Sequence, residues 1–193
     1  ADMYDNDGTN DVSANDTIMG NIVAGSSNAV RQDSLGYTSV PGSAVAGQTM
    51  TVKTASTTLL KNGSYTNQTV NIPQTAYKLG SWNLSAGSTE DLTVNTLSVD
   101  ITSVTNATFS AADLTNVWFK FIRADGTSVV TNPLATVSDT ANTFSLTTNL
   151  PKGTSGTIEM YANILSGNIT AADSVKTTLT VTGTSAVSGT SVS

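Results

Sequence analysis

The sequence predicts an all-β protein whose main body is a β-sandwich. Segments rich in Thr, Val and Ile recur about every 10–15 residues, with Gly, Asn and Ser between them. β-branched residues favour strands, and evenly spaced turn signals are typical of sandwiches. Within most segments apolar and polar residues alternate, as they do in a strand with one buried face.

The segment "DLTVNTLSVDI" shows this alternation and one interruption of it. Leu92 and Val94 share one phase, and the apolar residues within 97–101 take the opposite phase. A one-residue slip moves every later side chain to the other face of a sheet. The slip at Asn95–Thr96 therefore predicts a β-bulge.

The next segment, "LTNVWFKFI", places Val117, Phe119 and Phe121 on one face of a strand. "ADGT" follows it, and Asp125–Gly126 predicts a tight hairpin turn with positive φ at both residues. The only helical signals are short, the clearer one being "SAADLTN", in which Ser110 is the predicted cap of a single turn.

Three regions follow from these patterns. Residues 1–45 are predicted to form an extended acidic leader that contains a candidate donor strand. Residues 46–183 form a single β-sandwich of the Ig-like or jelly-roll type, most regular over 76–183. Residues 184–193 form a short tail or a final edge strand.

The composition excludes several classes of function. Cys and His are both absent, so disulfides, zinc-thiolate sites and His-dependent catalytic triads are excluded. We therefore expect no enzymatic activity.

Only 8 residues are Lys or Arg, without a basic cluster, so nucleic acid is not an expected partner. No apolar run reaches the roughly 20 residues that span a bilayer, so no membrane span is expected. An acidic start suits a mature secreted terminus, which predicts an extracellular or cell-surface location.

The stretches "YKLGSWNLSAGSTEDLTVNTLSVDI", "DLTNVWFKFIRADGT", "TFSLTTNLPKGTSGTIEMYANIL" and "DSVKTTLTV" together resemble a β-sandwich module of bacterial and archaeal cell-surface proteins. The likeness covers residues 76–182. With a strand-forming leader before it, the architecture is similar to subunits of extracellular, pilus-like fibres built by donor-strand complementation. That resemblance implies a structural subunit whose partners are copies of itself.

In such a fibre the leader of one subunit completes the sandwich of the next. The stretch "NDTIMGNIVAGS" is the candidate donor, because apolar side chains lie on both of its faces. An added strand satisfies a row of open backbone groups at once, and a few side chains fix its register. Ile18, Ile22 and Val23 are the predicted anchors of this subunit contact.

Two other functions remain open at this point. The first is an adhesive or carbohydrate-binding module that recognises cell-surface glycans, with a stacking platform drawn from the aromatic residues Tyr77, Trp82, Trp118 and Tyr161. The second is a domain of an S-layer or other envelope protein, whose leader folds onto its own sheet.

The opening "DNDGTND" gathers Asp5, Asp7 and Asp11 around a glycine. Carboxylates at this spacing are a candidate calcium site, because Ca²⁺ prefers several oxygen ligands. The alternatives are a solvated acidic tail and a leader whose charge keeps the donor strand from pairing too early. No other cofactor is expected.

Asn62 and Asn67 in "KNGSYTNQT" are the best candidates for glycosylation among six Asn-X-Ser/Thr sequons. Glu159 is a candidate promoter of an isopeptide bond between an asparagine and a lysine, the available lysines being Lys53, Lys78, Lys120 and Lys176. An acid/base pair would have to come from Glu90, Asp91, Asp100 and Glu159. Of these, Glu90–Asp91 in its turn and Glu159 in its strand are expected to face solvent.

Overall fold

The protein is described by a computed structural model. The structure describes residues 16–25, 29–30, 37–38, 41–53, 56–105, 109–167, 169, 173–186, 189 and 191–192. The chain divides into two compact units, Ala1–Thr54 and Ala55–Ser193. Antiparallel sheets make up the described structure, and its only helical piece is a one-turn 3₁₀ helix at Ala111–Asp113. The prediction of an all-β sandwich is confirmed.

The first unit contains the strands β1 (Thr17–Ile22), β2 (Ala29–Val30), β3 (Tyr37–Thr38) and β4 (Val45–Thr51). β1 pairs antiparallel with β4, and β2 with β3. Every side chain of β4 is exposed, and in β1 only Ile18 is half-buried. The β1–β4 ribbon therefore has no core among the described residues. Because β4 belongs to this unit, the unit ends at residue 54, whereas the sequence places the start of the sandwich at 46.

The second unit contains ten described strands. They are β5 (Thr57–Lys61), β6 (Gln74–Ala86), β7 (Leu92–Thr105), β8 (Leu114–Ile122), β9 (Ser128–Val130), β10 (Leu134–Thr136), β11 (Asn142–Leu150), β12 (Ser155–Ile164), β13 (Ser174–Ser185) and β14 (Ser191–Val192). The larger sheet has the order β10-β8-β12-β6-β5, and β9 also pairs with β8. The smaller sheet has the order β11-β7-β13-β14.

The core lies between these two sheets and follows the alternation in the sequence. On β8, Val117, Phe119 and Phe121 are fully buried, as predicted. Phe119 meets Phe144 of β11 edge to face, with ring centroids 4.9 Å apart. Burying each such side chain contributes roughly 1.5–3 kcal/mol, so this contact helps to hold the two sheets together.

The predicted bulge in β7 is present. Thr96 and Val94 pair with the adjacent residues Thr182 and Gly183 of β13, so that Asn95 has no pair of its own. Asn95 is exposed, while Val94 before it and Leu97 after it are fully buried. The extra residue explains how one strand directs both apolar phases of its sequence to the same core.

Two predicted turns are also present, one of them in a different form. Ser110 caps the 3₁₀ turn in a reciprocal capping box with Asp113. In the turn after β8 only Gly126 has a positive φ, of 82°, so the prediction of a second positive φ at Asp125 is wrong. The turn is wider than predicted, since the Arg123 N–H donates to the Thr127 carbonyl at 2.8 Å. Asp125 instead accepts from the Thr127 N–H at 2.8 Å.

The chain closes one side of the sandwich. β9 and β10 both pair with β8, and the segment after them leads directly into β11 of the other sheet. Asn142, at the start of β11, is buried there, and its amide donates to the carbonyls of Val99 and Ser138. The Ser138 N–H donates back to the side-chain oxygen (Oδ1) of Asn142 at 2.8 Å. On this side the two sheets are therefore connected both by the polypeptide chain and by buried hydrogen bonds.

Candidate functional site: an open apolar edge of the sandwich

The opposite side of the sandwich has an apolar cleft between β5 and β13. Its volume is about 240 Å³, and liquid water occupies about 30 Å³ per molecule, so side chains of another strand would fit there. Apolar side chains from both sheets form most of the lining: Leu59 of β5, Leu84 of β6, Leu92 of β7, and Leu179 and Val181 of β13. Leu59 is half-buried, while the other four are buried.

The strands beside this cleft have unpaired backbone edges among the described residues. β5 is the last strand of the larger sheet. β13 pairs along its length with β7, but on its other side β14 covers it only at Gly183 and Thr184. The edge of β13 over residues 175–182 is therefore free of a described strand. Such an edge presents a row of N–H and C=O groups to a further strand.

The cleft is not visible in the sequence. Leu59, Leu179 and Val181 have the same alternating pattern as the apolar residues of interior strands. Their special position depends on the order of strands in the two sheets, which alternation does not encode. The one signal in the sequence was the prediction of a short final edge strand, which can cover only part of the strand beside it. β14 is that strand.

The predicted anchors are on the surface of the first unit. Ile18 is half-buried, Ile22 is 61% exposed and Val23 is 67% exposed. Ile22 and Val23 are therefore apolar side chains at the surface of the first unit. Asp16, directly before β1, is also exposed.

A separate cluster of aromatic and charged side chains lies on the outer face of the larger sheet. Trp118 and Tyr161 stack with their ring centroids 4.4 Å apart and an angle of 10° between them. The Tyr161 hydroxyl donates to Glu159 at 2.8 Å, and the Lys78 ammonium lies 2.9 Å from the same carboxylate. Lys78 also lies over the ring of Tyr65, whose hydroxyl donates to the Lys78 backbone carbonyl.

This cluster contains two of the four aromatic residues in the predicted stacking platform. Trp82 does not join them, because it is buried in the core beside Phe119, with their ring centroids 6.4 Å apart. The Trp118–Tyr161 pair is half-buried, and its rings face each other. Aromatic pairs on neighbouring strands commonly stabilise a sheet in this way.

Three of the four candidate acid/base carboxylates have hydrogen-bonding partners within the fold. Asp91 accepts from the Lys152 N–H, and Asp100 accepts from the Ala141 N–H, each at 2.8 Å. Burial opposes ionisation of Glu159, but the hydrogen bonds from Lys78 and Tyr161 hold the pKa of its carboxyl below the ordinary value. Glu159 is therefore an anion at neutral pH, which is the opposite of what a general acid requires.

Of the four candidate lysines for an isopeptide bond, Lys78 forms an ion pair with Glu159. None of the hydrogen bonds found among the described residues joins Glu159 or Lys78 to an asparagine. Lys78 and Glu159 therefore form an ion pair to which Tyr161 adds a hydrogen bond, and the described contacts do not bring an asparagine to them.

The two preferred glycosylation candidates differ in their surroundings. The Asn62 amide donates to the Ser81 hydroxyl at 3.0 Å and is half-buried. Asn67 is exposed, and its carbonyl oxygen accepts from Lys61 at 3.4 Å. The Asn62 amide is thus engaged in a half-buried hydrogen bond, whereas the Asn67 side chain is exposed.

The calcium prediction falls on Asp5, Asp7 and Asp11, which lie outside the described residues. Within the described part of the chain, no group of three or more acidic side chains is placed to hold a metal ion. The same part contains no helix with the length and apolarity needed to cross a bilayer.

No family model, curated protein or solved structure matches this chain.

Proposed function

We propose that this protein is a structural subunit of an extracellular, pilus-like filament that polymerises by donor-strand complementation. The observation that carries the proposal is the apolar cleft beside the uncovered edge of β13. Residues 17–23 of one copy add to that edge in the next copy. Ile18 and Ile22 enter the cleft, and Val23 extends the contact beyond the end of the strand.

The fit between the two parts supports this assignment. β1 is six residues long, and the uncovered edge of β13 spans residues 175–182, so the strand and the edge are comparable in length. Ile18 and Ile22 are four residues apart and share a face by alternation. That face can meet Leu59 and Leu179 while the backbone of β1 bonds to β13.

Charge complementarity also favours a second copy as the occupant. Lys61 on β5 and Lys176 on β13 are exposed on the two strands that border the cleft. Asp16 precedes β1, and four further Asp residues lie in the first eleven positions. Opposite charges on the two segments would orient the approach of one subunit to another. A contact that uses different surfaces on each subunit and does not close gives a filament.

The test is assembly of an Ile18→Asp/Ile22→Asp variant, followed by sedimentation and electron microscopy. The wild type is expected to form filaments, and the variant is expected to remain a folded monomer, because two charges cannot be buried in an apolar cleft without compensation. Val104→Asp is the matched control, since Val104 is 63% exposed on β7 and lies outside both surfaces. It should assemble like the wild type.

Two results would contradict the proposal. One is a double variant that assembles to the same extent as Val104→Asp. The other is a wild-type protein that stays a monodisperse monomer at high concentration, which would favour an envelope-protein domain with its leader folded in place.

A further inference from the structure

We infer that the β1–β4 ribbon docks as an intact pair, so that β4 is part of the subunit contact; this rests on the proposed function. β1 enters the position beside β13, and β4 remains bonded to it as the new edge strand. Val45 and Met50 of β4 then contribute apolar contacts together with Ile18 and Ile22.

The first observation is the register of the ribbon. Ile18 lies opposite Met50, and Ile22 lies opposite Val45. Directly opposed residues in an antiparallel pair point to the same face. A register shift between Met19 and Asn21 gives β4 one extra residue between the two pairs, so Met50 and Val45 lie on one face although they are five residues apart. The two pairs therefore give the ribbon one apolar face, which is made of Ile18, Ile22, Val45 and Met50.

The second observation is that this apolar face has little cover. Val45 is 50% exposed, Met50 is 62% exposed and Ile22 is 61% exposed. By contrast, the residues paired on the other face include Met19 with Thr49 and Asn21 with Ala46, which are more polar. A two-stranded ribbon is marginal by itself, whereas addition to a larger sheet stabilises it.

The third observation is that β4 occupies one edge of β1 and that no described strand pairs with its other edge. A strand has two edges, and β4 bonds to one of them along Thr17–Ile22. The Val52 N–H extends that pairing by donating to the Asp16 carbonyl at 2.8 Å. The other edge of β1 can form backbone hydrogen bonds to β13 while β4 stays paired with β1. Docking the pair would extend the smaller sheet by two strands.

A disulfide across the ribbon tests whether β4 stays. The chain has no cysteine, so Met19→Cys/Thr49→Cys creates the only possible bridge, on the face away from the cleft. Opposed residues in an antiparallel pair lie about 4.5–5.5 Å apart between Cα atoms, which suits a disulfide. After oxidation is verified by loss of free thiols, the full-length variant should form filaments as readily as its reduced form and the wild type.

A second test compares the two faces of β4 directly. Met50→Asp should weaken assembly by about tenfold or more in the critical concentration, because it puts a charge in the buried part of the contact. Thr49→Asp is the control, since it adds the same charge to the neighbouring residue on the other face. Equal assembly by these two variants would overturn the inference.

The outcomes separate this inference from the proposed function. If the reduced variant assembles and the oxidised one does not, β1 must leave β4, and only the intact-ribbon inference fails. If the wild type assembles and the reduced variant does not, Met19 or Thr49 is part of the contact, and the assignment of faces is wrong. If none of the proteins assembles, including the wild type, the proposed function fails as well.

Discussion

Lys78 and Glu159 form an ion pair on neighbouring strands of the larger sheet, with 2.9 Å between the ammonium nitrogen and the carboxylate oxygen. Tyr161 donates a second hydrogen bond to the same carboxylate. Tyr65, from the segment between β5 and β6, covers the Lys78 ammonium and bonds to its backbone. The pair therefore ties that segment to the outer face of the sheet.

Replacing Glu159 by Gln should lower the free energy of unfolding by about 1 kcal/mol at neutral pH, because the Lys78 ammonium is partly exposed and solvent reduces the loss. The pKa of Glu159 is depressed in the folded state, so its contribution is fully present above the ordinary glutamate pKa. It is lost as the pH falls through the folded-state pKa. The difference between wild type and Glu159→Gln should therefore shrink in acid.

Denaturant unfolding from pH 7 downward measures this difference. A double-mutant cycle with Lys78→Gln isolates the coupling between the two side chains. A coupling close to zero at pH 7, or a difference that grows in acid, would show that the ion pair has no stabilising role.

Tyr161 should ionise later than an ordinary tyrosine. Burial, followed by the hydrogen bond to the Glu159 carboxylate, raises the pKa of Tyr161 to about 12. The stabilisation linked to this raised pKa is fully present below the ordinary value of about 10 and is lost as the pH rises toward 12. Tyrosinate absorbance during alkaline titration measures the effect. Tyr161→Phe should remove the latest part of the titration, and removal of an early part would contradict the assignment.

Gly183→Ala should destabilise the sandwich by about 1–3 kcal/mol, because the backbone must shift to admit the new methyl group. A Cβ at this position would lie 2.5 Å from the Thr93 carbonyl oxygen. Gly63→Ala is the matched control, since nothing lies within 4 Å of its Cβ position. Thermal unfolding of both variants decides the matter. Equal melting temperatures would mean that the sheet absorbs the extra group without strain.

If the protein assembles as proposed, filament formation should become slower as salt is added, because exposed charges are screened beyond a Debye length of about 8 Å at physiological ionic strength. Lys61→Gln/Lys176→Gln should assemble more slowly than wild type at low salt and should depend less on salt. Lys152→Gln is the control, as Lys152 is exposed in the turn before β12. Light scattering during the first minutes of assembly gives the rates. A salt-independent rate for the wild type would contradict the steering role.

Much of the fold could be predicted because alternation and turn chemistry are local properties. The phase slip at Asn95 identified the bulge, and Ser110 identified the capped turn. Polar residues inside the core could not be predicted in the same way. Asn142 is buried because Val99 and Ser138 offer it hydrogen-bonding partners, and those partners are known only once the strands are in place.

Less of the candidate site could be predicted. The apolar character of Ile18, Ile22 and Val23 is visible in the sequence, as is the strand that contains the first two. Their pairing with β4 could not be read from the sequence, because backbone hydrogen bonds within a ribbon do not depend on side chains. The cleft could not be found either, since it exists only where β5 and β13 end their respective sheets.

The bulge at Asn95 limits which changes in length this chain can tolerate. β7 is bonded to β11 on one side and to β13 on the other, and both pairings shift register beside Asn95. Deleting that single residue would put Val94 and Leu97 in one regular alternation and remove the bulge toward β13. It would also widen the mismatch with β11 from one residue to two, since β11 already has three residues between the partners of Leu97 and Val94. Over evolutionary time, relatives of this protein should therefore exchange residues along β7 freely at its exposed positions, while the spacing between Val94 and Leu97 stays fixed.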